Sequence, residues 1–316
     1  MSLPGKNAIW RVLVTGGAGF IGSRLVRRIE AEWPNAEVTV IDDLRSGHFK
    51  NLEGFRGDLI TADLTNLDFA SYFKPKHFDS VFHLASITDT RVLDQFTMCH
   101  DNIESFRNLL EYAQPNKIPI TYASSAATYG IDARVNVETD DRKPANVYGF
   151  SKVQLENLAD RVAGTPDNAG WKVNAVRYFN VYGPHEQHKG AMASMCYQLY
   201  LQMKQGKRPR VFKSGEQKRD FVHVDDAVEC TLLAMDSGKS GVFNTGSGEA
   251  RTFNELIAEL NKAMGTKLEP EYIDNPYAFF QPFTQADLTR SKAELGYTPK
   301  HTLASGIKSY VDWLKG

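Results

Sequence analysis

From residue 11 onward, short runs of β-branched and aromatic residues alternate with stretches whose apolar positions fall three and four apart. Residues 11–15 (RVLVT), 37–41 (EVTVI), 80–84 (SVFHL), 119–123 (PITYA) and 172–177 (KVNAVR) have the hydrophobicity of strands buried on both faces. A helix is expected from about Ile21. Residues 94–113, with Ile103, Phe106, Leu109 and Leu110 on one stripe, and residues 147–162 read as crossover helices. Strand and helix in alternation predict an α/β fold, a Rossmann-type doubly wound parallel sheet with helices on both faces.

After about Asn180 the rhythm loosens, with Gly183-Pro184 and then elements separated by Gly and Pro. Helices are expected over 225–235, 252–264 and 303–314, the second opened by Thr252 and Glu255 in capping-box spacing. The expected organisation is a dinucleotide-binding domain over residues 7–179, with later segments interleaved, and a smaller mixed α/β lobe over 180–316 that is mainly substrate-binding. No repeat of fixed period is evident.

Composition narrows the class. The 316 residues are 42% hydrophobic and 24% charged, the balance of a globular chain, which leaves no room for long disorder. Lys plus Arg number 37 against 38 Asp plus Glu, so no global field draws nucleic acid or anionic lipid, and neither is expected as a partner. Cys99, Cys196 and Cys230 are odd in number and widely spaced, so neither a disulfide framework nor a metal site is expected. The N-terminal residues lack a cationic stretch followed by an apolar core, and no apolar run of ~18 residues occurs, so a cytoplasmic protein is expected.

Residues 15–22 read TGGAGFIG directly after a strand and at the opening of a helix. Gly16, Gly19 and Gly22 satisfy G-x-x-G-x-x-G, and Gly17, Gly19 and Gly22 satisfy G-x-G-x-x-G. A tight turn needs a residue without Cβ, a pyrophosphate needs close backbone approach, and the first amides of a helix bind its charge. Twenty residues past Gly22, at the end of the second strand, Asp42 is placed to accept hydrogen bonds from an adenosine ribose. NAD and NADP both remain open here: Asp42 repels a 2′-phosphate, whereas Arg45 and Lys50 can pair with one. Asp63 and Leu64 are candidates for the adenine pocket, and Asp63 equally for a helix cap.

Tyr148 and Lys152 form Y-x-x-x-K on an expected helix, which puts both on one face. Ser124 and Ser125 follow the fourth strand, where parallel sheets present reactive groups. Ionising a free tyrosine of pKa ~10 at pH 7 costs about 4 kcal/mol, which a neighbouring ammonium and an oxidised nicotinamide ring can offset. Tyr148 then serves as a base for a hydroxyl proton while the carbinol hydrogen leaves as hydride, with Ser125 holding the same oxygen.

With FHLAS at residues 82–86, YASSAATYG at 122–130, NVYGFSK at 146–152 and RYFNVYGP at 177–184, the chain resembles the extended short-chain dehydrogenase/reductase superfamily over nearly its whole length. HKGAMASM at 188–195, RDFVHVDD at 219–226, FNTGSG at 243–248 and FTQADL at 283–288 are similar to the ADP-L-glycero-D-manno-heptose 6-epimerase branch. That resemblance implies an epimerase of a lipopolysaccharide-core precursor, with tightly held NADP or NAD, NADP slightly favoured. The ketone would form at carbon 6 of the heptose, and the hydride would return to the other face. Tyr148 and Lys189 would be the two bases. Cofactor contacts would come from Gly16, Gly19, Phe20, Ile21, Gly22, Asp42, Asp43, Arg45, Asp63, Leu64, Leu84, Ala85, Ser86, Asn102, Tyr148, Lys152 and Val181. Substrate contacts would come from Ser125, Ala126, Asn180, Lys189, Gln198, Phe212, Arg219 and Phe280. A homo-oligomer is expected on the same ground.

Alternatives stand beside several of these roles. Lys189 also reads as a loop cation or a phosphate contact, and Arg219 as the partner of Asp220, Asp225 or Asp226. The chain departs from the branch pattern at Ala191, Gln198 and Phe280, where a serine, a histidine and a tyrosine are usual. Another nucleotide sugar, a 4-epimerase or a dehydrogenase of the same superfamily therefore stays open. A dehydratase needs an acid beside the active serine, where Ala126 and Ala127 stand. A non-catalytic dinucleotide-binding regulator would not be expected to keep Ser125, Tyr148 and Lys152 together.

Overall fold

The computed structural model describes residues 3–74, 77–89, 94–275 and 281–316. The first half of the chain runs β1 (Trp10–Thr15), α1 (Phe20–Glu32), β2 (Ala36–Asp42), β3 (Asp58–Thr61), α2 (Phe69–Tyr72), β4 (Ser80–His83), α3 (Gln95–Ala113), β5 (Ile120–Ser125), α4 (Val147–Ala163) and β6 (Val173–Tyr178). The second half adds β7 (Asn180–Tyr182), α5 (Met195–Lys204), β8 (Arg210–Phe212), β9 (Lys218–His223), α6 (Val224–Asp236), β10 (Gly241–Thr245) and β11 (Ala250–Thr252). It ends with α7 (Phe253–Met264), β12 (Glu271–Ile273), α8 (Thr289–Leu295) and α9 (Leu303–Lys315).

Seven strands form one parallel sheet in the order β10-β6-β5-β4-β1-β2-β3. Because side chains alternate along a strand, β1 feeds two cores at once. Leu13 joins Val81, Ile120, Phe106, Leu109 and Leu155 under α3 and α4, while Val12 and Val14 join Leu25, Ile29, Val228 and Leu232 under α1 and α6. The expected doubly wound α/β sheet is the observed one. Strand order reverses between β1 and β4, which opens a crevice at their C-terminal ends.

The smaller sheets, β11-β9-β7 and β12-β8, pack with α5, α7 and α9 around Tyr182, Leu199, Leu256 and Ile307. The two edge strands of the large sheet, β3 and β10, fall outside the strands expected from patterning. β3 is four residues long and mostly exposed, and β10 is five residues starting at a glycine, so neither gives a periodic signal. Helix α5 was also not expected, although Cys196, Leu199, Tyr200 and Met203 carry the helical spacing on its buried face. β5 extends through both serines, so Ser124 and Ser125 are the end of the strand and not the turn after it.

The second lobe is joined to the first through Asp220 on β9, which is wholly buried. Its carboxylate accepts from the Ser247 amide (2.6 Å) and hydroxyl (2.7 Å), and from the Gly248 and Ala286 amides (3.0 Å each). An Asp220→Asn variant turns an NH2 group toward this all-donor shell, and the expected loss is about 3 kcal/mol or more. Thermal melting of the folded variant should fall by at least about 6 °C; an unchanged midpoint would show that the shell is not load-carrying for the fold.

Candidate active site

The glycine loop fills the crevice between β1 and β4. Gly16 has φ +72°, and a Cβ on it would lie 2.5 Å from the Ala85 amide nitrogen, so the loop touches the backbone after β4 directly. A Cβ on Gly22 would stand 2.1 Å from the Gly16 carbonyl, which fixes how closely α1 approaches the turn. Gly19 caps α1 without a side-chain hydrogen bond, leaving the amides of the first turn, from Phe20 and Ile21 onward, facing the crevice for an anion. Ile21, Leu84 and Val181 pack against one cluster that also holds Ala123 and Ala126. Ser86 begins the loop whose Ile87 amide donates to Asn102 (2.7 Å). Asn102 is buried, and its own amide group reaches the Ile87 carbonyl (3.1 Å) and Ser151 Oγ (3.0 Å), so it shapes this loop from beneath. A tight glycine turn that leads into free helix-start amides fits the pyrophosphate of a dinucleotide.

At the end of β2, Asp42 is buried, and its two oxygens accept from the Ala18 and Leu44 amides at 2.9 Å each. Burial holds its carboxyl above the usual carboxylate range, against the pull of those two amides. Asp43 is more open and grips Arg45 (2.5 Å). Arg45 is also held by Asp101 (2.7 Å) and reached by Asp63 (3.8 Å). Asp63 accepts from the Thr65 amide (2.9 Å) and hydroxyl (2.8 Å), as a turn cap does. Leu64 packs in the core beside Leu13 and Ile41. Lys50 lies exposed on the same loop.

Ser125, Tyr148 and Lys152 come together between β5 and α4. Ser125 hydrogen-bonds to the Tyr148 side chain. Lys152 is buried and donates to the Ala123 carbonyl (2.9 Å), with its Nζ 5.8 Å from the centre of the Tyr148 ring. Burial raises the Tyr148 phenol above its ordinary value, and the Ser125 bond works against that rise. Burial also pulls the Lys152 ammonium down to about 7, opposed by the charge of Glu156. An ammonium beside the Tyr148 ring favours the phenolate by charge attraction. Lys152 thus supplies part of what a tyrosinate needs at neutral pH.

Lys189 lies elsewhere in the cleft. Its Nζ is 5.6 Å from the Phe20 ring, at the start of α1, and its backbone amide donates to the Glu186 carbonyl (3.0 Å). Burial lowers its ammonium, and the Glu186 charge opposes this. Gln198 donates to the carbonyl of Gly190 (2.6 Å), and Ala191 is exposed on the same segment. Asn180 on β7 donates to the Asp220 carbonyl (3.2 Å) and Thr284 Oγ1 (3.0 Å). Arg219 lies over the Phe253 ring (5.9 Å), and burial brings its guanidinium down to about 10. The acids weighed as partners for Arg219 are engaged elsewhere: Asp220 as above, Asp225 by Arg24 (2.6 Å) and Asp226 by His301 (3.0 Å). Phe212 is half-buried on β8. Phe280 lies outside the described residues.

Four residues near these groups were not singled out from the sequence: Asp101, Glu156, Arg177 and Glu186. Glu156 was within reach, standing eight residues after Tyr148 on the face that carries Lys152. His223, Asp225 and His301 present ligand atoms within 4.8 Å of one another. The ion pairs of Asp225 and His301 just described, together with the tilted imidazole rings of His223 and His301 at 4.1 Å, account for that cluster.

A Gly22→Ala variant must push the glycine turn away from α1, and the expected result is purified protein without bound dinucleotide. Absorbance of an acid extract checks this. A full complement of nucleotide in that variant would show that the contact is not needed for retention.

Comparison with known proteins adds a family match and three similar structures. The family model described as the NAD dependent epimerase/dehydratase family matches residues 12–246. The chain is similar to the Helicobacter pylori ADP-L-glycero-D-manno-heptose-6-epimerase at 40% identity, covering 98% of this chain and 97% of that one, with a TM-score of 0.90. It is similar to the Thermotoga maritima UDP-glucose 4-epimerase with UDP-glucose at 31% identity (96% and 98% covered, TM-score 0.88). It is also similar to the Bacillus cereus UDP-glucuronic acid 4-epimerase in complex with UDP-glucuronic acid and NAD at 26% identity (96% and 99% covered, TM-score 0.84).

Proposed function

The chain belongs to the NAD dependent epimerase/dehydratase family, and from that premise we propose that it epimerises a nucleotide-diphosphate sugar through a transient ketone. The observation that carries this reading is the meeting of Ser125, Tyr148 and Lys152 beside a glycine cradle shaped for a dinucleotide. A nicotinamide cofactor held by the glycine turn would supply reversible hydride chemistry for the carbinol carbon. Ser125 holds the reacting hydroxyl, and Tyr148 exchanges the proton of that hydroxyl in one of the two orientations of the substrate carbon. Lys152 sustains the charge of Tyr148 during the exchange. Asn180 and Arg219 line the second lobe, where a guanidinium suits a diphosphate. The 40% identity with the heptose epimerase supports an ADP-glycero-manno-heptose as substrate, with epimerisation at carbon 6 in supply of a lipopolysaccharide-core precursor. A UDP-sugar 4-epimerase is the second reading, favoured by Ala191 and Gln198.

Lys189 is the second base in this reading. Its place over Phe20, at the anion-binding end of α1, also supports a contact to the cofactor pyrophosphate. Exposed Phe96 and Phe150, near the starts of neighbouring helices α3 and α4, support a homo-oligomer.

With a panel of nucleotide sugars, one sugar should equilibrate with its epimer without accumulation of reduced cofactor, followed by proton NMR of the sugar ring. Tyr148→Phe should lower kcat by about 100-fold or more. Lys189→Met should block epimerisation while keeping the bound nucleotide; loss of that nucleotide would make Lys189 a phosphate contact. Steady production of reduced cofactor would replace epimerase by dehydrogenase.

The cofactor is NAD rather than NADP in our reading. Asp43, Asp63 and Asp101 share Arg45, and Asp42 precedes Asp43 at the end of β2, so a 2′-phosphate would meet more acids than arginine there. Mass spectrometry of nucleotide released by acid from purified protein should find NAD. Arg45→Ala should leave that identity unchanged, whereas NADP in the wild-type extract, lost in Arg45→Ala, would reverse the assignment.

A further inference from the structure

The end of β5 is joined to α4 by three successive rungs, one from each residue. Ser125 bonds the Tyr148 side chain, Ala123 accepts from Lys152 Nζ at 2.9 Å, and Ser124 Oγ donates to Glu156 Oε1 at 2.6 Å. Tyr148, Lys152 and Glu156 are four residues apart, so they form one stripe on the helix. The third rung touches no substrate, yet it is the most heavily anchored. Arg177 on β6, paired in register with Ser124, donates from Nε to Glu156 Oε1 (2.8 Å) and from Nη2 to Oε2 (2.7 Å). Arg142 adds a contact to Oε2 at 3.3 Å. The Arg177 guanidinium lies 4.6 Å from the centre of the Tyr129 ring, and the Glu156 and Arg177 side chains are 0% and 2% exposed.

We propose that Glu156, fixed by Ser124 and Arg177, is a positioning residue for the reaction: it sets the register of α4 on β5 and supplies the negative charge that keeps Lys152 an ammonium beside Tyr148. This rests on the epimerase reading for its rate assay, though not for its spectroscopic one. The stripe explains why a buried charge pair is placed here. A bidentate arginine–carboxylate pair fixes an angle as well as a distance, and an error in the third rung is carried by the helix to the first.

Several titratable groups stand around Lys152. From β4, His83 lies beside it, with Nδ1 on Thr15 Oγ1 (2.8 Å), and burial holds its imidazole down to about 3, neutral at any working pH. Tyr122 on β5 is buried and neutral. Arg177 on β6 and Arg142 before α4 are cations, both turned to Glu156. On α4 itself stand Tyr148, Glu156 and Asp160, the last reached by Arg142 at 3.9 Å. Among these, Glu156 is the buried anion that opposes the loss of the Lys152 proton.

The test uses the purified protein with its bound cofactor. Tyrosinate formation is read as ultraviolet difference absorbance against pH, with Tyr148→Phe subtracted to isolate Tyr148. Glu156→Gln keeps the shape and removes the charge. Its Tyr148 titration should move about one unit upward, and the acid limb of kcat should move with it, giving an about tenfold loss at pH 7 with KM within about twofold. Ser124→Ala removes the rung while leaving the charge. It should lower kcat about three- to tenfold with an unmoved titration, and Ser124→Thr should restore the rate. A Glu156→Gln protein with wild-type titration and pH profile overturns the charge role. If Glu156→Gln does not fold, Ser124→Ala decides, and wild-type kcat in that variant overturns the proposal. Should no sugar be epimerised by the wild type, the functional reading fails, and the titration still judges Glu156.

Discussion

Backbone meets backbone where β1 and β4 diverge, and that contact sets the terms for everything around it. Gly16 lies against the Ala85 backbone and Gly22 against the Gly16 carbonyl, with no room for a Cβ at either. The space is kept for a group that carries its own charge and brings few apolar contacts. The sheet order produces the crevice, the glycines keep it shallow, and the uncapped start of α1 gives it a positive lining. Each of the three would be of little use without the other two.

The cleft also separates two electrostatic regimes. Around Arg45 the charges are open to water and opposed in sign, so individual pairs contribute little and the summed field decides what enters. Around Lys152 the groups are sealed between sheet and helix, where the loss of one partner leaves another buried and uncompensated. Specificity for the adenosine end can therefore drift by surface substitution, while the chemistry at the other end is held by mutual dependence.

Much of this was legible in the sequence. Central strands declare themselves because burial on both faces leaves little choice of residue, and the glycine spacing and Y-x-x-x-K stripe are local patterns. The edge strands β3 and β10 were not legible, since a four-residue exposed strand and a five-residue strand opened by glycine carry no period. Asp42 was placed at the end of β2 by its spacing, and the amides of Ala18 and Leu44 that orient its two oxygens are a tertiary arrangement that no spacing reveals. Lys189 was read as a base by resemblance, with a phosphate contact beside that reading, and no spacing shows that the fold brings it to Phe20. Glu156 was missed for a different reason. A glutamate on a helix looks like a solvated charge until Arg177, from another strand, is found against it.

The last strand to join the large sheet has a consequence for how the chain is made. β10 pairs with β6 from more than sixty residues downstream, so a growing chain that has emerged only through β6 displays an open row of amides and carbonyls. Synthesis proceeds from the N-terminus, and that exposed border must wait until residue 245 has cleared the ribosome before it is covered. The nascent polypeptide is thus most in need of a chaperone in the interval between its sixth strand and its tenth.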